Sequence, residues 1–241
     1  MLTHSPQVSA DNVVLEVDQI FVYTLKGAAS ASVLQELGFH CSNHLLRRVE
    51  QGTASKIIFF ENTYLELIWI EDEHAAEQQS VQTGIDTLAR IRWQHTGASP
   101  FGIGLRGFSK TAELMPNLTP HWTEGMRSDL SIRFAAENLA SVEEPIYFVI
   151  PDSIALTTWL DRSCEAHRQL ISHPLDVKKL TGIKITVNSD KELSNAVSLL
   201  DRHGVVAIER GTSPLLELTF DSGTKGKIVD ARPMLPILIK C

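Results

Sequence analysis

The sequence predicts an α+β protein in which repeated β-α-β-β-β modules build a curved, mixed sheet around a pocket. Three observations point there. The order strand, helix, strand, strand, strand occurs at both ends of the chain and in worn form between them. The stretches VDQIFVYT and LTGIKITV correspond in residue type, as do YLELIWI and LLELTF. Each of the two clear helices is followed by a glycine, Gly38 and Gly204, the residue that accepts the left-handed backbone closing a helix. A single module leaves one sheet face bare, so modules have to pair to bury it.

In the first module, Val13–Thr24 is rich in β-branched and aromatic residues and reads as a strand after a loose, polar arm over residues 1–12. Ala28–Leu37 carries apolar residues at helical spacing. Cys41–Val49 is a strand candidate, and Gly52 breaks the chain. Ser55–Phe60 and Tyr64–Ile70 are two strands joined as a hairpin by Glu61-Asn62-Thr63. Glu73–Trp93 reads as one long helix, and 95–100 as a loop.

The middle of the chain repeats the pattern less clearly. Phe101–Gly107 is a strand whose two glycines let another group come close to its backbone. A short helix at Ser109–Met115, a loop around Pro116 and Pro120, and strands at Leu130–Ala135 and Pro145–Ile150 complete a degenerate unit over 101–151. Ser153–Ile171 reads as helix. Leu180–Val187, a helix over Asp190–His203, Val205–Glu209, and a hairpin of Leu215–Phe220 with Gly226–Asp230 form the last repeat, before the tail ARPMLPILIKC. The boundaries are therefore 13–175, with module one at 13–72 and module two at 101–151, and an additional module at 176–241.

Composition narrows the function. There are 22 basic and 29 acidic residues, a net charge of −7. That balance disfavours nucleic acid as a partner, since phosphate binding relies on clustered Lys and Arg. The longest basic runs are the pairs Arg47-Arg48 and Lys178-Lys179. The three cysteines, Cys41, Cys164 and Cys241, are widely spaced and form no C-x-x-C pair, which argues against a disulfide framework or zinc knuckle. No run is long and apolar enough for a membrane span, and the polar N-terminus lacks the features of a signal peptide, so a cytoplasmic location is expected. The sequence has no G-x-S-x-G, G-x-x-x-x-G-K-[ST] or H-E-x-x-H, and Gly102-Ile103-Gly104 lacks the third glycine of a dinucleotide fingerprint.

The informative polar residues are two glutamates inside apolar strands, Glu66 in YLELIWI and Glu217 in LLELTF. Side chains alternate along a strand, so Glu66 shares a face with Tyr64, Ile68 and Ile70. A carboxylate there is costly unless it is paired, liganded or in a wet cavity. Both a pocket and a solvent-facing or edge strand with a protective charge remain open for Glu66 and for Glu217. Gln19 stands on the first strand with Phe21 and Tyr23, where it either converges with Glu66 or makes an ordinary hydrogen bond. Further polar candidates are His44, either an acid or base near neutral pH or a structural or exposed histidine; Thr53 and Ser55, beside the Gly52 turn; Arg106, either suited to hold a carboxylate or a surface residue with a packed stem; Trp122, a pocket wall or a core residue; and Arg127. His173-Pro174 reads as a module boundary.

VDQIFVY, the helix ending in LGF, the Gly52-Thr53 turn and the YLEL strand resemble the first module of glyoxalase-like proteins of the vicinal oxygen chelate superfamily. FGIGLRG, EEPIYFVIP and His173-Pro174 resemble the second part of that domain. The resemblance implies a small-molecule lyase, isomerase or dioxygenase, with a divalent ion (Zn, Ni, Mn or Fe) acting as Lewis acid on a carbonyl substrate and a glutamate, Glu66, moving the proton. Carried over by position, Gln19 and Glu66 are metal ligands in module one, and Glu217 is a third ligand if modules one and three face each other. Gly182, Gly102 and Gly104 stand where other first-strand ligands would be, and PIYFVI offers no carboxylate. The alternative is a non-catalytic protein that binds or sequesters a small molecule in the same fold. Whether modules pair within one chain or across a homodimer stays open.

Overall fold

The computed structural model describes residues 15–25, 27–107, 118–121 and 131–241. The N-terminal arm, the helix expected at Ser109–Met115, and the candidates Trp122 and Arg127 lie outside them. The first module comprises β1 (Glu16–Tyr23), α1 (Ala28–Glu36), β2 (Leu46–Arg48), β3 (Thr53–Phe59) and β4 (Tyr64–Ile70). Three helices, α2 (Glu73–Thr83), α3 (Thr87–Ile91) and α4 (Trp93–Thr96), lead to the second module: β5 (Phe101–Arg106), β6 (Leu118–His121), β7 (Ile132–Ala135), α5 (Ala136–Leu139) and β8 (Ile146–Val149). These eight strands form one sheet in the order β2-β3-β4-β1-β5-β8-β7-β6. The modules join edge to edge through the antiparallel pair β1–β5, and in each the last strand runs parallel to the first, β4 beside β1 and β8 beside β5. The result is a mixed, curled half-barrel sheet.

Two short helices, α6 (Leu156–Trp159) and α7 (Glu165–Leu170), precede a five-stranded sheet made of β9 (Leu180–Val187), β10 (Ala207–Arg210), β11 (Leu215–Phe220), β12 (Ile228–Asp230) and β13 (Ile237–Lys240), with α8 (Asn195–Arg202) between β9 and β10. Its order is β10-β9-β11-β13-β12. The connectivity differs from module one: β9 runs parallel to β10 and antiparallel to β11. The hairpin expected between Leu215–Phe220 and Gly226–Asp230 is replaced by an inserted strand. β13, cut from the apolar tail, lies parallel to β11 and takes β12 on its other side.

Side-chain alternation separates two apolar clusters. Ile20, Val22, Leu65, Leu67, Ile103 and Leu105 point to the core shared with the second sheet, where they meet Ile185, Leu218 and Phe220 together with Leu34 of α1 and Val197 of α8. The residues between them, Phe21, Tyr23, Ile68, Ile146 and Phe148, form a separate cluster on the opposite, concave face. Glu144, buried, ties the layers: its carboxylate accepts from Ser194 N at 2.7 Å and Ser194 Oγ at 2.6 Å ahead of α8, and from Asn138 Nδ2 at 3.2 Å.

Several boundaries are set by local chemistry rather than periodicity. The single helix expected over Glu73–Trp93 is three, because Gly84 closes α2 in the left-handed region and Asp86 starts α3 by accepting from Ala89 N at 2.8 Å. The long helix expected over Ser153–Ile171 breaks where Asp161 accepts from Ser163 N at 2.8 Å, forming a side-chain turn. Cys41–Val49 is strand only over Leu46–Arg48, after which a single 3-10 turn ends at Gly52 with φ of 63°. The last helix starts at its Ser194 cap rather than at Asp190.

His173 does more than mark a boundary. Its Nδ1 accepts from His40 N at 3.0 Å and its Nε2 donates to Phe59 O at 3.0 Å, with Phe39 and Phe60 rings against it. Burial pushes the imidazole from 6.5 down to about 4. Folding therefore holds it neutral while the unfolded chain takes up a proton, so its contribution is complete above pH 6.5 and is lost as pH falls from there to about 4. We expect the unfolding free energy from urea titrations to drop across that window by a total of about 3 kcal/mol, and His173→Asn to flatten this part of the pH profile.

Candidate functional site

A cavity of about 530 Å³ opens on the concave face of the curled sheet. One wall is polar and comes from module one. Glu66 of β4 is 1 % exposed and takes a donor from each of the other three strands. Gln19 Nε2 on β1 donates to Oε2. Ser55 Oγ on β3 donates to Oε1 at 2.5 Å, and Arg48 Nη2 at the end of β2 reaches the same oxygen at 2.7 Å. Arg48 Nη1 also donates to Ser55 Oγ at 3.2 Å, and Tyr64 Oη donates to Gln19 Oε1 at 2.9 Å. Burial, helped by the charges of Glu66 and Asp18, raises the Tyr64 phenol above its ordinary value, so it serves as a donor.

Register explains the convergence. β1 and β4 are parallel neighbours with Gln19 opposite Tyr64, which leaves Glu66 diagonal to Gln19 on the same face. In the β2–β3 pair, Leu46 lies opposite Ser55 and Arg48 opposite Thr53, so Arg48, Thr53 and Ser55 also share that face.

The facing wall is carbon. Ile132, Phe134, Ile146 and Phe148 line it from module two, with Phe21 beside them. The Phe21 and Phe148 rings stack with centroids 5.8 Å apart. The glycines of β5 make this possible. A Cβ on Gly102 would lie 2.1 Å from the Phe21 ring, and one on Gly104 2.6 Å from the Phe148 ring. The two aromatic rings occupy the space that side chains of β5 would otherwise fill.

Other sequence candidates lie elsewhere. Glu217 sits in the second sheet, paired with Lys184 and, at 2.5 Å, with Lys240; it does not reach Gln19 and Glu66. Those two lysines hold its carboxyl below the usual value against an opposing contribution from burial. Arg106 is tied to Glu16 at 2.7 Å, to buried Asp18 at 3.2 Å and to Asn62 O at 2.8 Å, and is not among the cavity-lining residues. His44 is exposed on the loop before β2, outside the cavity. Thr53 and Ser55 stand on the cavity face. Sequence reasoning missed Arg48, whose signal was its place one turn before Gly52 on the face shared with Ser55, and missed Phe21 and Phe148 as walls.

The model of the glyoxalase-like domain matches residues 20–200. The chain belongs to the glyoxalase-like domain family. The match takes in module one from Ile20, all of module two and the start of the second sheet. Among solved structures, a hypothetical protein from Staphylococcus aureus is similar over 94% of this chain and 99% of its own, with 12% identity and a TM-score of 0.54. It shares the fold across both sheets. A methylmalonyl-CoA epimerase in complex with methylmalonyl-CoA and NH4+ is similar over 59% of this chain and 98% of its own (12% identity, TM-score 0.39), and the methylmalonyl-CoA epimerase from Mycobacterium tuberculosis over 59% and 93% (11% identity, TM-score 0.37). No curated protein matches the chain.

The vicinal oxygen chelate fold implies a divalent ion held by ligands from two modules. The donor set of this glyoxalase-like chain does not suit one. Gln19 and Glu66 meet, but the second module offers Gly102, Gly104, Ile146 and Phe148 opposite them. Oε1 of Glu66 already holds Arg48 and Ser55, and the Arg48 cation balances the carboxylate charge. Among the described residues no three His, Cys, Asp or Glu side chains come together to hold a metal.

Two outcomes follow for the walls. Glu66→Ala strands the Arg48 charge and the donors of Gln19 and Ser55, and should lower unfolding free energy by about 2–4 kcal/mol in urea titrations. Gly102→Ala forces the Phe21 ring out of its place and should cost about 1–3 kcal/mol in the same measurement.

Proposed function

We propose that this glyoxalase-like protein binds a small organic molecule in the concave cavity, with the ligand's apolar body on the Phe21–Phe148 wall and its polar group on the wall built around Glu66. The observation that carries the reading is the pairing of the two walls: a satisfied four-strand polar network faces an all-carbon surface across about 530 Å³. Pockets for small molecules fall in this size range and combine apolar lining with a few placed polar groups. In this reading binding needs no divalent ion, since the charge of Glu66 is met by Arg48 and both of its oxygens hold protein donors.

A second reading, proton transfer as in a lyase or isomerase, is favoured by Glu66 itself, a carboxylate 1 % exposed on a cavity wall. Proton transfer requires a base within reach of the substrate's acidic hydrogen. Here Gln19 and Ser55 would orient the carboxylate, and Arg48 would stabilise oxyanion charge developing on the substrate.

Native mass spectrometry of the purified protein after incubation with a small-molecule extract tests the binding reading. A retained ligand that is lost on filling the cavity with Ile68→Trp is the expected result; an empty cavity in the correctly folded wild type overturns it. Elemental analysis should find far less than one divalent ion per chain, whereas a stoichiometric ion lost on Glu66→Ala would sink the metal-independent reading. For the second reading, Glu66→Gln should retain the ligand and abolish exchange of its acidic C–H with deuterated solvent. Exchange that persists at the wild-type rate removes Glu66 as the base.

A further inference from the structure

Resting on the small-molecule reading, we infer that the ligand is an aromatic carboxylate, its acid group received by Arg48 and Thr53 and its ring laid against Phe21 and Phe148.

The case begins with which hydrogen-bonding capacity the cavity leaves unused. On the wall around Glu66 the acceptors are already engaged. Oε1 of Glu66 holds two donors, Oε2 holds one, the Gln19 carbonyl holds Tyr64, and Ser55 Oγ receives Arg48. Donors are in surplus. A guanidinium carries five N–H groups, and Arg48 uses one each of Nη1 and Nη2 in the network. Thr53 is buried on the cavity wall, and its Oγ1 has no hydrogen-bond partner. A buried hydroxyl left unpaired is costly; Oγ1 is covered as it stands, and a rotamer change that turns it to the cavity would let a ligand oxygen satisfy it.

The two spare donors are neighbours. Arg48 and Thr53 lie directly opposite in the β2–β3 ladder, on the face that carries Ser55 toward Glu66. Opposed side chains on one face sit about 4.5–5.5 Å apart at Cβ, close enough for both to reach the two oxygens of one carboxylate. Arg is the side chain best matched to that planar anion. A cationic ligand finds the reverse at this wall: the buried carboxylate is screened by Arg48.

The ring follows from the other wall. Phe148 stacks with Phe21 at 5.8 Å and meets Phe134 at 5.5 Å, and Ile132 and Ile146 complete a surface with no polar side chain among them. Aromatic faces of this kind favour a planar apolar body.

Titration calorimetry with three probes of one shape tests the inference: 2-naphthoate, 2-naphthylmethylamine and 2-methylnaphthalene. The acid should bind at least tenfold more tightly than the amine or the hydrocarbon. Thr53→Val keeps the side-chain shape and removes a hydroxyl that no protein group uses, so it should weaken the acid about tenfold, leave 2-methylnaphthalene unchanged, and leave the melting temperature of the free protein the same or higher. Arg48→Lys keeps the charge, loses the planar fork and should also weaken the acid. Equal binding of all three probes, or undiminished binding of the acid to Thr53→Val, overturns the acid subsite while leaving the cavity reading standing. If none of the three binds the wild type, the aromatic-carboxylate inference falls, while the cavity reading is decided separately by the native mass spectrometry.

Discussion

A single carboxylate organises the first module. An ionised glutamate at 1 % exposure is tolerable only if its oxygens are met, and Glu66 is met from every other strand of the module: Gln19 from β1, Arg48 from β2 and Ser55 from β3. The register of the sheet cannot slip by one residue without turning these donors to the opposite surface and exposing Leu65 and Leu67 in exchange. The same requirement that makes the carboxylate expensive makes the concave face specific. Arg48, at the edge of the sheet, is drawn over the cavity by this demand, and so brings a fork of donors to a place where a short edge strand would otherwise point into water.

The second module answers the first with carbon. Where the fold provides a matching first strand, β5 carries glycines, and their missing Cβ atoms give room to Phe21 from the neighbouring strand and Phe148 from the strand on the other side. One module of the sheet carries a polar centre and the other an aromatic floor. That asymmetry separates this cavity from the symmetric ion-binding arrangement implied by the fold, and gives it two ends with opposite preferences. Behind the half-barrel, the five-stranded sheet buries the convex face. It shares one continuous apolar cluster with β1, β4 and β5, and His173 and Glu144 join the two layers at separate points.

Much of this was legible in residue order. Alternation in YLELIWI put Glu66 on one face with Tyr64, Ile68 and Ile70, and the two glycines of FGIGLRG announced a close approach to the backbone, though not which rings would come. Other features were not legible. Arg48 read as half of a basic pair, because its importance lies in a cross-strand partner, Ser55, seven residues away through a turn whose exact length decides the facing. Glu217 had the same local signature as Glu66, yet its neighbours are Lys184 and Lys240, supplied by strands β9 and β13. The strand β13 itself was hidden in a short apolar tail, because four residues carry too little periodicity to distinguish a strand from a packed end.

The amino-acid sequence by itself determined the α+β class, the strand-helix-strand-strand-strand order from β1 to β4, the glycine stops at Gly38 and Gly204, and the presence of a carboxylate on an otherwise apolar strand, since each depends on residues within a few positions of one another. Only the tertiary structure decided which donors meet that carboxylate, that Arg106 serves Asp18 and Glu16 rather than the cavity, and that the last sheet lies behind the half-barrel with Glu217 out of reach. Those outcomes depend on strand order and register, which are settled by burying both sheet faces at once and are not encoded in any short window of the chain.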